Sequence, residues 1–258
     1  MTPVALILRT AGTNCDRELA HAFALAGAEA RLVHINRLID DPTPLDEADL
    51  VGFPGGFSHG DDIAAGRIFA NKLRHRLMDP LQHAVARGVP MIGPCNGFQV
   101  MVKLGLLPDP RAATQTVTLA DNRSGRFIDR WVRLRAEADS ACVWTRGLGD
   151  LDLPIAHGEG RFVPASDEVL GQLQHHRQIA LRYAAEDNPN GSVADIAGIC
   201  DPSGLIFGLM PHPERFLHPT NHPDWTRKGP DWLTATPAGL RMFQNAVEHV
   251  RSAATVAA

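Results

Sequence analysis

The sequence predicts an α/β chain: a doubly wound, mainly parallel sheet flanked by helices, with an added β-rich segment over roughly 108–191. Two observations predict the parallel part. Short unbroken apolar runs at 4–8, 50–53, 89–93 and 206–210 suit strands buried on both faces. Between the early runs lie segments with helical apolar spacing, closed by glycines such as Gly27, Gly88 and Gly105. A third observation predicts the addition. Arg130-Trp131-Val132-Arg133-Leu134 and Gln178-Ile179-Ala180-Leu181-Arg182-Tyr183 alternate polar with apolar residues, as half-exposed antiparallel strands do.

Taken in order, residues 4–8 form the first strand and Asn14 is a suitable N-cap for a helix whose Leu19, Phe23 and Ala26 share a face. Residues 30–34 complete a βαβ start. The strand at 50–53 ends in Pro54-Gly55-Gly56-Phe57-Ser58-His59-Gly60-Asp61, where paired glycines suit a sharp turn or a close approach to a ligand. Leu77, Leu81 and Val85 mark a helix. The strand at 89–93 delivers Cys95, and a helix follows to Gly105. Asn188-Pro189-Asn190-Gly191-Ser192 is a turn between strands, and a C-terminal helix is expected over roughly 236–251, with frayed residues after it. Without a repeat or a clear linker, residues 1–258 read as a single domain.

Composition narrows the function. The chain has 258 residues, 44% hydrophobic and 21% charged, as in ordinary globular proteins. A formal charge of −4 and one tyrosine offer neither a basic surface nor a stacking platform for nucleic acid. The cysteines Cys15, Cys95, Cys142 and Cys200 have no CxxC spacing, which points to a reducing compartment without structural disulfides or zinc. The first apolar run is too short for a membrane span, so a cytoplasmic protein is expected.

The chemistry concentrates in three places. Gly93-Pro94-Cys95-Asn96-Gly97 follows the Gly-x-Cys-x-Gly pattern, the cysteine counterpart of a nucleophile elbow. There a strained turn raises the sulfur above the sheet edge, and the helix N-terminus favours a thiolate. His212 and Glu214 stand two residues apart, bracketed by Pro211 and Pro213, so the carboxylate can orient the imidazole as a base. Loops leaving strand C-termini share one edge of a doubly wound sheet, which lets these residues meet. The Gly55-Gly56 backbone and the Asn96 N–H are the candidate oxyanion donors, each of the kind worth about 3–4 kcal/mol in a measured case.

On these residues the chain resembles the class I (triad-type) glutamine amidotransferases, which carry Pro-Gly-Gly, Gly-x-Cys-x-Gly and a late His-x-Glu in this order. More narrowly it is similar to the glutaminase subunits of phosphoribosylformylglycinamidine synthase. Seven ordered segments carry that match: 12–16, 53–61, 95–99, 105–108, 154–162, 188–192 and 210–215. The resemblance implies a flavodoxin-like sheet, with Cys95 attacking the side-chain amide of L-glutamine, His212 as base and then acid, and Glu214 as its orienter. It places Gln99 near the bound glutamine, together with Gly55, Gly56 and Asn96. It implies no cofactor or metal in this chain, and ammonia delivery to a synthetase subunit (PurL-type) working with a small accessory subunit (PurS-type). ATP and Mg are expected on the synthetase, where formylglycinamide ribonucleotide becomes the amidine of purine biosynthesis. No nucleic acid or membrane partner is implied.

Alternatives remain open on the sequence. One is a glutaminase serving another pathway, such as imidazole glycerol phosphate synthesis; others are a silent regulatory protein on the same fold and a peptidase. Two departures stand out: Pro94 precedes the nucleophile where a small aliphatic residue is usual, and His59 stands where tyrosine is common. Cys15 reads as helix-start packing; His175, His176, His218 and His222 read as exposed loop histidines. His157 and Glu159 touch the partner subunit, shape the site rim or stabilise a turn, and residues 216–228 have no derived role beyond a lid or partner contact.

Overall fold

The computed structural model describes residues 2–256. The chain opens with β1 (Val4–Arg9), α1 (Asp16–Leu25), β2 (Glu29–His34), and the short helices α2 (Ile35–Asp40) and α3 (Thr43–Asp46). It continues through β3 (Leu50–Gly52), α4 (Arg67–Arg76), α5 (Met78–Ala86), β4 (Met91–Pro94) and α6 (Asn96–Leu104). Then come β5 (Val117–Asp121), β6 (Ile128–Ala136), β7 (Asp150–His157), β8 (Glu159–Pro164) and α7 (Asp167–His175). The last elements are β9 (Ile179–Tyr183), β10 (Ile196–Cys200), β11 (Ile206–Leu209), α8 (Pro230–Thr234) and α9 (Ala238–Val256).

A nine-stranded sheet runs in the order β2-β1-β3-β4-β11-β10-β9-β6-β7. From β2 to β11 neighbours are parallel, and from β11 to β7 they are antiparallel. The strands of the expected β-rich addition therefore divide: β6, β7 and β9 extend the main sheet, whereas β5 and β8 pair in a small sheet of their own. Along β1 the alternation of a strand sends Leu6 and Leu8 into one core and Ala5 and Ile7 into the other. The first core also takes Phe69 and Leu73 of α4, Leu81 of α5 and Phe98 of α6. The second takes Leu19 and Phe23 of α1 and Met242, Phe243 and Val247 of α9. A strand buried on both faces needs this continuous apolar run, and each fully buried large side chain contributes roughly 1.5–3 kcal/mol.

Several sequence expectations shift. The residue before α1 is Cys15, not Asn14, and no side chain caps that helix. The expected helix around Leu81 is α5, and a second helix, α4, precedes it, the two separated at Leu77, whose φ of −135° leaves the helical region. The C-terminal helix starts at Ala238 and runs on to Val256, past the expected end at 251 and through residues expected to fray; residues 257 and 258 of that expectation lie outside the described residues. His222 is buried against Asp152 (Nε2 to Oδ2, 3.3 Å) instead of standing in an exposed loop. Phe216, Leu217 and His222 pack inward, Phe216 and His222 against Trp131 and Trp232.

Pro94 finds a physical place. Met91 and Cys95 donate their N–H groups to Leu205 and Leu209 on the β11 side. The alternation of the ladder puts the nitrogen of residue 94 on the opposite side, beyond the end of β3 at Gly52, where no ladder donor is required.

Candidate active site

The strands β3, β4 and β11 are neighbours, so the loops leaving their C-terminal ends emerge side by side. Those loops carry Gly55-Gly56, Cys95 and His212. Cys95 has φ 50° and ψ −110°, a strained backbone for a residue with a Cβ. Its neighbours must be glycines: a Cβ on Gly97 would lie 2.0 Å from the Phe53 carbonyl oxygen, and one on Gly93 would lie 2.7 Å from the Gly97 carbonyl carbon. The turn is thereby clamped between β3 and α6, with Cys95 5% exposed.

Behind it, His212 Nδ1 stands 2.7 Å from Glu214 Oε1, both side chains almost wholly buried. His212 Nε2 and Glu214 Oε2 have no hydrogen-bond partner among the described residues. Burial on its own would push the imidazole towards its neutral form. The Glu214 carboxylate, and after it the Cys95 and Cys15 sulfurs, outweigh this and hold the His212 pKa well above the ordinary imidazole value. The thiolate is the reactive form of cysteine, and a charged imidazole is among the neighbours that support it.

The glycine loop packs directly on this pair. A Cβ on Gly55 would lie 3.0 Å from His212 Cε1. Gly56 has φ 127° and faces Thr13 across an isolated bridge, whose hydrogen bonds run from Phe57 N to Gly12 O and from Cys15 N to Gly55 O. The Gly56 N–H is not used by those bonds. Asn96 is the first residue of α6, where backbone N–H groups lack helical acceptors. Its side chain accepts from Ser58 N (3.3 Å) and donates to Asp61 Oδ1 (3.1 Å) and Gln99 Oε1 (2.9 Å), tying the glycine loop to the nucleophile helix. Gln99 Nε2 donates to the Glu159 carbonyl, so both ends of its carboxamide are engaged.

A cleft of roughly 250 Å³ opens over Cys95. Gly56, Asp61 and Gln99 line one side, and Arg126, Phe127 and residues 156–159 line the other. That second wall comes from the antiparallel half of the sheet. Its edge strand β7 curls back until Pro154 O accepts the His212 N–H (2.8 Å) and Ala156 O lies 3.5 Å from Cys95 Sγ. A register shift between β9 and β10 near Gly198 adds to the bend.

The structure thus brings together Cys95, His212, Glu214, Gly55, Gly56, Asn96 and Gln99. One feature was missed in the sequence. Cys15, read only as packing, lies with His212 and Glu214 in one group whose polar atoms are all within 4.8 Å of one another. Its sulfur accepts from Arg215 Nη2 at 3.2 Å, and burial raises its pKa, which keeps it a neutral thiol. His157 and Glu159, for which the site rim was one of the readings, line the cleft. His59, the other departure, bonds through Nε2 to Thr10 Oγ1 at 3.0 Å.

Comparison with known proteins shows the family. The CobB/CobQ-like glutamine amidotransferase domain matches residues 2–250. Phosphoribosylformylglycinamidine synthase subunit PurQ of Dehalococcoides mccartyi is 46% identical, over 95% of this chain and 97% of its own length. The protein of that name from Methanococcus maripaludis is 41% identical, over 96% and 98%. A chain in the structure of PurLQS from Thermotoga maritima superposes with a TM-score of 0.75 at 32% identity, over 97% of this chain and all of that one. The chain belongs to the CobB/CobQ-like glutamine amidotransferase family, together with the PurQ subunits of phosphoribosylformylglycinamidine synthase.

Proposed function

We propose that residues 1–258 act as one amidotransferase unit, the glutaminase subunit of a cytoplasmic phosphoribosylformylglycinamidine synthase. The observation that carries the chemistry is the buried 2.7 Å His212–Glu214 pair beside Cys95 on its strained turn. The Cys95 thiolate attacks the side-chain amide carbon of glutamine. The resulting oxyanion lies between the N–H of Asn96 and that of the Gly55-Gly56 backbone. The C–N bond then breaks; its electrons stay on nitrogen, which takes the proton from His212 Nε2 and leaves as ammonia. Water, activated by His212, hydrolyses the thioester to glutamate and frees Cys95. Gln99 shapes the glutamine site by holding Asn96 and the Glu159 carbonyl of the cleft wall together.

The assembly reading rests on the names and high coverage of the relatives, from the PurQ subunits to the PurLQS structure. It supplies a PurL-type synthetase, where ATP and Mg are used, and a PurS-type accessory subunit as partners. No helix among the described residues is long and apolar enough to cross a membrane. The test is Cys95→Ser in the reconstituted complex. Glutamine-dependent amidine synthesis is expected to fall to background, while synthesis from added ammonium salt persists. A variant that still used glutamine normally would remove Cys95 as the nucleophile.

A further inference from the structure

His157 is a buried, titratable side chain in the cleft wall to which the mechanism above gives no task. Its protonation state follows from its neighbours. Asn122 Nδ2 donates to the carbonyls of Arg126 and His157, at 2.8 Å each. That fixes the Asn122 amide, so its Oδ1 is an acceptor, and it also receives the Gly160 N–H at 3.3 Å. His157 Nδ1 lies 3.0 Å from this oxygen and must therefore carry the proton. Nε2 is left as a bare lone pair, screened from solvent and without a partner among the described residues. Gly160 is required under the ring, since a Cβ there would lie 2.3 Å from it. Burial, assisted by the charge of nearby His212, pushes the His157 pKa down to about 4, so the ring stays neutral. An orphaned buried acceptor is unfavourable unless a donor arrives.

We propose that His157 Nε2 accepts a hydrogen bond from the ammonia leaving Cys95. This rests on the glutaminase reading. The residue before it, Ala156, already places its carbonyl 3.5 Å from Cys95 Sγ, and both residues line the cleft over Cys95. Ammonia has N–H groups to donate, whereas the glutamate product presents a carboxylate that both acceptors repel. No proton passes to His157: the ammonia formed with the His212 proton keeps its lone pair and remains a nucleophile. A chargeable imidazole at the same place would convert it to ammonium, which cannot attack.

The test uses the reconstituted complex and His157→Asn. Asparagine keeps an N–H donor for Asn122 Oδ1 at the Nδ1 position and deletes the Nε2 acceptor. Glutamate formed per amidine made is expected to rise about fivefold, the worth of one hydrogen bond, with ammonia-dependent synthesis unchanged. An unchanged ratio overturns the inference. A wild-type complex that made no amidine from glutamine would instead defeat the glutaminase reading. Should the variant not fold, nitrogen NMR of the wild-type chain decides: a neutral, Nδ1-protonated His157 at pH 7 is expected, and a charged or Nε2-protonated ring overturns the proposal.

Discussion

The two halves of the sheet divide the labour of the site. The parallel half, β2 to β11, holds Cys95, His212 and the glycine loop at the ends of three adjacent strands. The antiparallel half, β10 to β7, brings the wall that closes over them and meets the site through Pro154 O and Ala156 O, and the Glu159 carbonyl follows at the start of β8. Reacting groups need fixed backbone strain and buried charge, which a strand covered on both faces provides. A wall needs only shape and carbonyl acceptors. Changes in the first half should therefore abolish chemistry, and changes in the second should alter what happens to substrate and product.

The largest expected effect breaks the parallel half at its charge pair. Glu214→Gln keeps the shape but loses the carboxylate that orients His212 and holds its pKa up. By analogy with the loss of a triad carboxylate, glutamine turnover should drop about 10³- to 10⁴-fold, with ammonia-dependent synthesis intact. Steady-state glutamate release measures this. A drop under tenfold would mean that the His212–Glu214 pair is structural.

The next effect separates the halves by backbone tolerance. Gly97→Ala drives a Cβ to 2.0 Å from the Phe53 carbonyl oxygen, so strand and helix must part. About 1–3 kcal/mol of stability should be lost, and activity with it as Cys95 moves. Gly149→Ala, just before β7, meets nothing within 4 Å and should change stability by less than about 0.5 kcal/mol. Urea unfolding of the two variants checks the contrast; equal losses would erase it.

The same division explains what could be read in the sequence. Gly93, Cys95 and Gly97 form a local pattern because the constraint is local: neighbouring backbone atoms leave no room for a Cβ. The β1, β3 and β4 runs were legible because burial on both faces leaves an unbroken apolar signature. Cys15 was not legible as a neighbour of His212, because their approach depends on how the loop after β1 meets the loop after β3. The curl of β7 over Cys95 likewise arises from cumulative sheet twist and the shift near Gly198, neither of which writes a short motif. His222 was misplaced for a related reason: Trp131, Trp232 and Asp152, distant in sequence, bury it.

The smallest effect sharpens the comparison through two histidines, one in each half. His212 has its folded pKa raised, so its stabilisation is complete below about pH 6.5 and fades as pH rises through the folded value. His157 is the reverse. Folded, it stays neutral down to about pH 4, whereas the unfolded chain protonates near 6.5. Below that value the unfolded state binds a proton that the native state refuses, and stability falls at roughly 1.4 kcal/mol per pH unit until the folded group titrates. Between pH 7.5 and pH 5 the wild-type chain should therefore lose about 2 kcal/mol more than His157→Asn, measured by urea unfolding. Parallel losses in both proteins would show that His157 charges freely in the native state. In that case the antiparallel wall would place a cation, not a bare acceptor, beside the departing ammonia.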